Sequence, residues 1–250
     1  MIRLLSVLFL YLTFLVLLPA QIVNIEDKRR NINDSIGWYE RADLSFNWVK
    51  NTQTILNLSG GFQLEFQHLN RRVLSITNVQ FVKAGETSFV NQGFQHLRYN
   101  ISYSPWYTHE FFGQLQYNEN LQIKLRALLG CGGRFLLSGK SKHSIYAGMA
   151  YMFEYDEEAT EAIHRDHRMS SYLSLRIKLT KNAVLASTSY FQPLLSDFKD
   201  FRLSSNTVLV VKFNKQVSFT NSLSLLYDSR TPPEIPAFSH NMRSGIRYAF

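Results

Sequence analysis

A chain of 250 residues that is 45% hydrophobic and 14% aromatic suits a β-rich domain, either soluble or membrane-spanning. Its single cysteine, Cys131, excludes an internal disulfide and a multi-cysteine metal site. The net charge of +8 is of a kind that nucleic-acid binders share, but the cations are spread along alternating runs. No finger, helix-turn-helix pattern or basic helix is present, so no nucleic-acid partner is expected.

The chain begins with an export signal. Arg3 supplies a short positive region, Leu4 to Leu18 an apolar stretch, and Pro19-Ala20 a cleavage site before Gln21. Residues 1–20 are therefore read as a cleaved signal peptide, 21–36 as a short periplasmic segment and 37–250 as one domain. An uncleaved transmembrane helix is the rival reading, and it needs about 20 apolar residues. No later stretch is long and apolar enough to span a bilayer as a helix.

From there the sequence has period two. Leu56, Leu58, Gly60, Phe62, Leu64 and Phe66 alternate with Asn57, Ser59, Gln63, Glu65 and Gln67. The longest run places Leu121, Ile123, Leu125, Ala127, Leu129, Cys131, Gly133, Phe135 and Leu137 on one phase, and Gln122, Lys124, Arg126, Arg134 and Ser138 on the other. Ile145 to Tyr155, Leu173 to Leu179 and Val217 to Tyr227 repeat the pattern. Successive strand residues point to opposite faces, so each run is a strand with one apolar and one polar side. The spans are 43–51, 54–68, 72–83, 92–104, 108–118, 120–138, 142–155, 167–180, 182–192, 201–214, 216–229 and 239–250. In the third, the phase slips between Ile76 and Val79, which a bulge would explain, and Ala183–Gln192 alternates poorly.

This pattern predicts an all-β fold, an antiparallel up-and-down transmembrane β-barrel of about twelve strands. Connections after even-numbered strands are short (Leu69-Asn70-Arg71, Pro105-Trp106-Tyr107, Gly139-Lys140-Ser141, Lys181, Lys215). Long ones, 156–166, 193–200 and 230–238, follow odd-numbered strands in the second half of the chain, whereas early odd connections such as Asn51-Thr52-Gln53 are short. That asymmetry matches short periplasmic turns and longer extracellular loops. Tyr99 and Tyr103, and Tyr151 and Tyr155, sit toward strand ends on the apolar phase, as interfacial aromatic girdles do. A soluble β-sandwich is the alternative architecture. The chain ends with Ile246, Tyr248 and Phe250 alternating with Arg247 and Ala249. A terminal aromatic on an amphipathic last strand is read by the outer-membrane assembly machinery, so Tyr248 and Phe250 are the expected assembly signal. The expected location is the Gram-negative outer membrane, with lipid and that machinery as partners.

Two stretches also resemble a known family. Trp38 and Leu44-Ser45-Phe46-Asn47-Trp48-Val49-Lys50-Asn51-Thr52 resemble the opening strand and turn of domain of unknown function 481. Gln116-Tyr117-Asn118-Glu119-Asn120-Leu121 with Ile123 to Phe135 is similar to its later hairpin, which ends in a Gly-x-Gly stretch. The family is usually described as salt-induced outer-membrane protein. The resemblance covers roughly 37–250 and implies a barrel and its location. It carries no catalytic residue over.

A chemical site is harder to find. A Ser–His hydrolase needs the two within about 3 Å, with a third polar group orienting the His. His143 and Ser144 point to opposite faces, and His240 and Ser244 are too far apart along one strand. His164 and His167 lie among Glu157, Glu158, Glu161 and Asp166, a spacing that matches no metal motif and reads as a solvated loop. No enzyme activity, cofactor or metal is expected. The polar phase says more. Arg98, Lys124, Arg126, Arg176, Lys178, Lys212 and Arg247, with Arg134 and Arg243, share it with few acids, such as Glu65, Glu110 and Glu154. A charge facing lipid at mid-bilayer costs about 2–4 kcal/mol, so these side chains are expected to line the lumen or lie near an interface. The resulting expectation is a narrow or plugged, anion-preferring small pore. A barrel that binds partners through its long loops and a lipid-modifying enzyme are the alternatives.

Overall fold

The computed structural model describes residues 36–248 apart from 51–53, 86, 141, 215, 233 and 234, with side chains 87–89 and 247–248 also left aside. The expected signal peptide, most of the expected periplasmic segment, and Phe250 lie outside the described residues. Twelve strands run in chain order: β1 (Gly37–Lys50), β2 (Thr54–His68), β3 (Arg71–Ala84), β4 (Thr87–Ser104), β5 (Tyr107–Asn118), β6 (Ile123–Lys140), β7 (His143–Glu158), β8 (Ile163–Lys178), β9 (Ala183–Pro193), β10 (Phe201–Lys212), β11 (Val217–Asp228) and β12 (Phe238–Tyr248). Each pairs antiparallel with the next, in the order β1 to β12. This is the up-and-down architecture that the alternation predicts, since hairpins joined by short turns put sequence neighbours side by side. β1 and β12 are the ends of the order, and no pairing joins them among the described residues. One cavity is nonetheless lined from all twelve strands, Arg41 of β1 and Arg243 of β12 included.

Burial is inverted relative to a soluble protein. Leu44, Leu97, Leu115, Leu129, Leu137, Met149 and Ile246 are exposed on the outside, while Glu65, Arg98, Glu110, Glu154, Arg168 and Arg202 are buried inside. An apolar outer surface of this extent belongs against lipid, where only closed backbone hydrogen bonding survives. Aromatic clusters sit near both strand ends. Tyr103, Trp106, Tyr107 and Phe135 gather beside the β4–β5 turn. Toward the other rim, Phe201 packs against Phe191 and Tyr227, with Tyr151 and Phe153 flanking His167.

Three local expectations change. β3 carries no bulge between Ile76 and Val79, and its register with β2 is continuous. The phase slips because Leu74 and Ile76 turn into the lumen and pack on Phe94, so part of the lumen wall is apolar. β6 holds a bulge between Ile123 and Leu125 that sends both Ile123 and Arg126 inward and leaves Lys124 in the bulge. The acidic stretch is not one long loop. β7 runs through Glu158 and β8 starts at Ile163, leaving only 159–162 between them. The long-loop rim therefore consists mainly of residues 194–200 and 229–237.

The Gly-rich stretch of β6 has a packing reason. A Cβ on inward-facing Gly130 would overlap the Phe112 ring, and one on Gly148 of β7 would overlap the Tyr172 ring. These glycines let two aromatic rings lie flat against the inner wall and fill the lumen at mid-height.

Candidate functional site: the lumen

The interior has two unlike parts. The first is a cavity of about 1720 Å³ that reaches the short-turn rim at Leu69, Asn70, Ser104 and Pro105. Its wall carries seven basic residues, Arg41, Arg71, Arg72, Arg134, Arg176, Lys212 and Arg243, against one carboxylate, Asp43. Much of the remaining wall is hydroxyl- and amide-bearing, as at Ser144, Ser174, Ser187, Thr188, Asn206 and Ser222. Arg134 stacks 3.9 Å from the centre of the Tyr146 ring, a cation–π contact that fixes its guanidinium.

The second part is a plug. Glu154 is fully buried and takes Arg202 Nη1 at 2.7 Å on both carboxylate oxygens. Arg126 Nε and Arg168 Nε approach the same carboxylate at 3.9 and 3.8 Å. Arg202 also donates to Asp228 at 2.8 Å, and Arg126 to Asp156 at 2.6 Å. Arg168 reaches Asp166 at 3.2 Å and Asp200 at 2.9 Å. The same two aspartates hold Arg230 of the β11–β12 loop at 2.6 and 2.9 Å. Four guanidiniums thus meet five carboxylates drawn from β6, β7, β8, β10, β11 and two loops. Burying any one of these charges alone would be prohibitive, and only the closed network makes the set tolerable. Next to it, Arg98 pairs with Glu110 at 3.1 Å, and Tyr172 donates to the same carboxylate at 3.1 Å. The void among these groups is about 60 Å³. In that measure a water needs about 10–15 Å³, so the void holds a handful of waters.

The sequence-predicted basic residues fall in different places. Arg98 and Arg126 line the narrow part. Arg176 and Lys212 line the wide cavity, together with Arg134 and Arg243. Lys124 does not line the lumen. The bulge turns it out to an exposed position at the long-loop rim, where it pairs with Glu157 at 2.5 Å. Lys178 is exposed at the end of β8, beyond the cavity lining. Arg247 and Tyr248 stand opposite Ser218 and Val217 in the β11–β12 register. The residues that sequence reasoning missed are Arg168, Arg202 and Arg230 with Asp156, Asp166, Asp200 and Asp228. Arg168 lies eight residues from Arg176 and Arg202 ten from Lys212, so even spacing marked both as inward.

The histidine readings resolve into separate contacts. His164 Nε2 meets Glu158 at 3.2 Å on the inner phase, whereas His167 faces outward and pairs with Tyr151 at 2.5 Å. No group of three or more potential metal ligands occurs among the described residues. Ser138 Oγ and His143 Nε2 lie 3.0 Å apart beside the β6–β7 turn, yet no carboxylate orients that imidazole among the described residues. The pair lacks the third member that a Ser–His hydrolase needs.

Among solved structures the chain is similar to the NanC porin, at 9% identity over 78% of this chain and 94% of that one, TM-score 0.48. It is also similar to the KdgM porin, at 10% identity over 85% and 98%, TM-score 0.42, and to Pseudomonas aeruginosa OccK11 (OpdR), at 10% over 84% and 83%, TM-score 0.39. No curated protein matches the chain significantly. A family model described as protein of unknown function, DUF481, matches residues 42–250, and the chain belongs to that family.

Proposed function

We propose that the chain is a porin-like barrel of the Gram-negative outer membrane that admits anions into its basic chamber and conducts them weakly. In this reading the short-turn rim faces the periplasm, residues 1–20 are removed on export, and the assembly machinery engages the last strand through Tyr248 and Phe250. The observation that carries it is the chamber wall, with seven cations to one carboxylate. A cavity with walls of one sign concentrates ions of the opposite sign. The plug contributes the narrowness. A void of about 60 Å³ holds conductance low and leaves movement of the Arg–carboxylate groups as the way to enlarge it.

The test is planar-bilayer recording of the refolded mature protein across a salt gradient. Small steps whose reversal potential favours chloride are expected, and Arg134→Glu/Arg243→Glu should reduce or reverse that preference. Cation-selective steps in the unaltered protein would refute the reading. Silence from protein shown to be folded and inserted would remove conduction from it.

A further inference from the structure

The cations of the wide chamber are not equivalent. Arg72 is held by Glu65 at 3.3 Å and Arg41 by Asp43 at 2.9 Å. Arg176, Lys212 and Arg243 have no carboxylate partner among the described residues, and all three belong to the β8–β12 wall. The register relates them closely. One hydrogen-bonded row crosses the sheet from Arg176 through Ala186, Val208 and Ser222 to Arg243. Lys212 lies on the central strand of that row, four residues beyond Val208 toward the short-turn rim.

At about 4.8 Å per strand, the two arginines are about 19 Å apart along the wall, and at about 3.3 Å per residue Lys212 is about 13 Å below the row. The concave wall brings their charged tips closer than their backbones. Small side chains, Ala186, Val208 and Ser222, leave the ground between the arginines open. The next inward row toward the plug is polar throughout: Ser174, Thr188, Asn206, Ser224 and Asn241. Thr188 donates to Ser174 at 3.0 Å and Ser224 to Asn206 at 3.1 Å, so these groups form an ordered strip of donors and acceptors.

We propose that this wall is a binding site for an elongated polyanion. Its acidic groups, phosphate or carboxylate, sit on Arg176, Arg243 and Lys212, and polar atoms between them meet the hydroxyl–amide strip. The inference rests on the basic chamber described above but not on conduction. A compact anion reaches one cation at a time. A linear one reaches all three, and each guanidinium offers it a two-pronged, charge-assisted hydrogen bond. With the far end closed by the plug, the ligand enters and leaves at the short-turn rim.

The experiment is isothermal titration of the refolded mature protein in zwitterionic micelles. The ligands are orthophosphate, a short linear polyphosphate and a short oligoglutamate. Variants are Arg176→Gln, Arg243→Gln, Ala186→Phe, which fills the open ground without touching charge, and Lys124→Gln as a distant control. A linear polyanion should bind more tightly than orthophosphate by about tenfold or more, the worth of one additional charge-assisted hydrogen bond. Each chamber variant should lose about that factor, and Lys124→Gln should lose none. Binding of only one of the two linear ligands identifies the acidic group, and binding of both leaves the class as linear polyanions. Equal affinity for orthophosphate, equal loss in Lys124→Gln, or no binding by any variant-competent, folded protein would overturn the site. Anion-selective conductance with no preference for the linear ligands would overturn it while leaving the pore standing. Binding without conductance would do the reverse.

Discussion

Replacing Glu154 by glutamine keeps the shape of the plug and removes one charge. In the native protein three guanidiniums stand within 4 Å of that carboxylate, and Arg202 donates to both of its oxygens at 2.7 Å. The side chain is completely buried, so water cannot take over. Arg202 keeps Asp228 and Asp156, and Arg168 keeps Asp166 and Asp200, but the carboxylate on which three of the guanidiniums converge is gone. Breaking a buried ion pair from one side costs about 3–5 kcal/mol. Lys124→Gln removes an ion pair of similar length, but the Lys124 side chain is 60% exposed. Exposed pairs contribute little, because solvent and salt screen them. Urea titration of the two refolded variants in micelles, followed by tryptophan fluorescence, compares the costs directly. Glu154→Gln should lower the midpoint far more than Lys124→Gln. Equal shifts, or none from Glu154→Gln, would mean that the plug is not a mutually dependent network.

Other outcomes follow from the same geometry. Leu129→Arg, near the centre of β6 on the outer face, should cost about 2–4 kcal/mol of barrel stability in a bilayer, whereas Leu125→Arg, close to the rim, should cost about 0–1. Equal costs would mean that the depth assignment is wrong. Gly148→Ala pushes a methyl group into the Tyr172 ring and should cost about 1–3 kcal/mol, a loss that Tyr172→Ala in the same chain should partly relieve. Unpaired strand edges are not tolerated in hydrocarbon, so the backbone amides of β1 and β12 should exchange as slowly in bilayers as those of β6 and β7. Rapid exchange confined to β1 and β12 would show a seam that stays open in the membrane.

The strands were legible because a barrel wall forces a period of two, and the lipid face admits little else. Observed bounds such as Thr54–His68 and Val217–Asp228 follow the alternation closely. What alternation could not show is where a bulge resets it. One extra residue at Lys124 turned an expected lumen cation outward and Ile123 inward. Nor does it say that a narrow lumen accepts apolar filling, so Leu74 and Ile76 looked like a phase error when they were inward-facing side chains. The acidic stretch misled for a related reason. Asp156 and Asp166 look like loop residues until the arginines that neutralise them are known. Those arginines come from strands as far off in sequence as β6 and β10. The basic chamber was readable one residue at a time, whereas the plug exists only through contacts across the lumen.

The central claim is an electropositive chamber reached from the short-turn rim and narrowed at the other end by the Arg–carboxylate plug. It is tested most directly by a cysteine at Ser222, on the chamber wall, in a Cys131→Ser background. The protein would be reconstituted in one orientation and labelled with anionic or cationic methanethiosulfonates. The account predicts that the sulfonate reagent reacts faster than the trimethylammonium reagent, and only from the short-turn side. Faster reaction with the cationic reagent, or equal reaction from both sides, would contradict it.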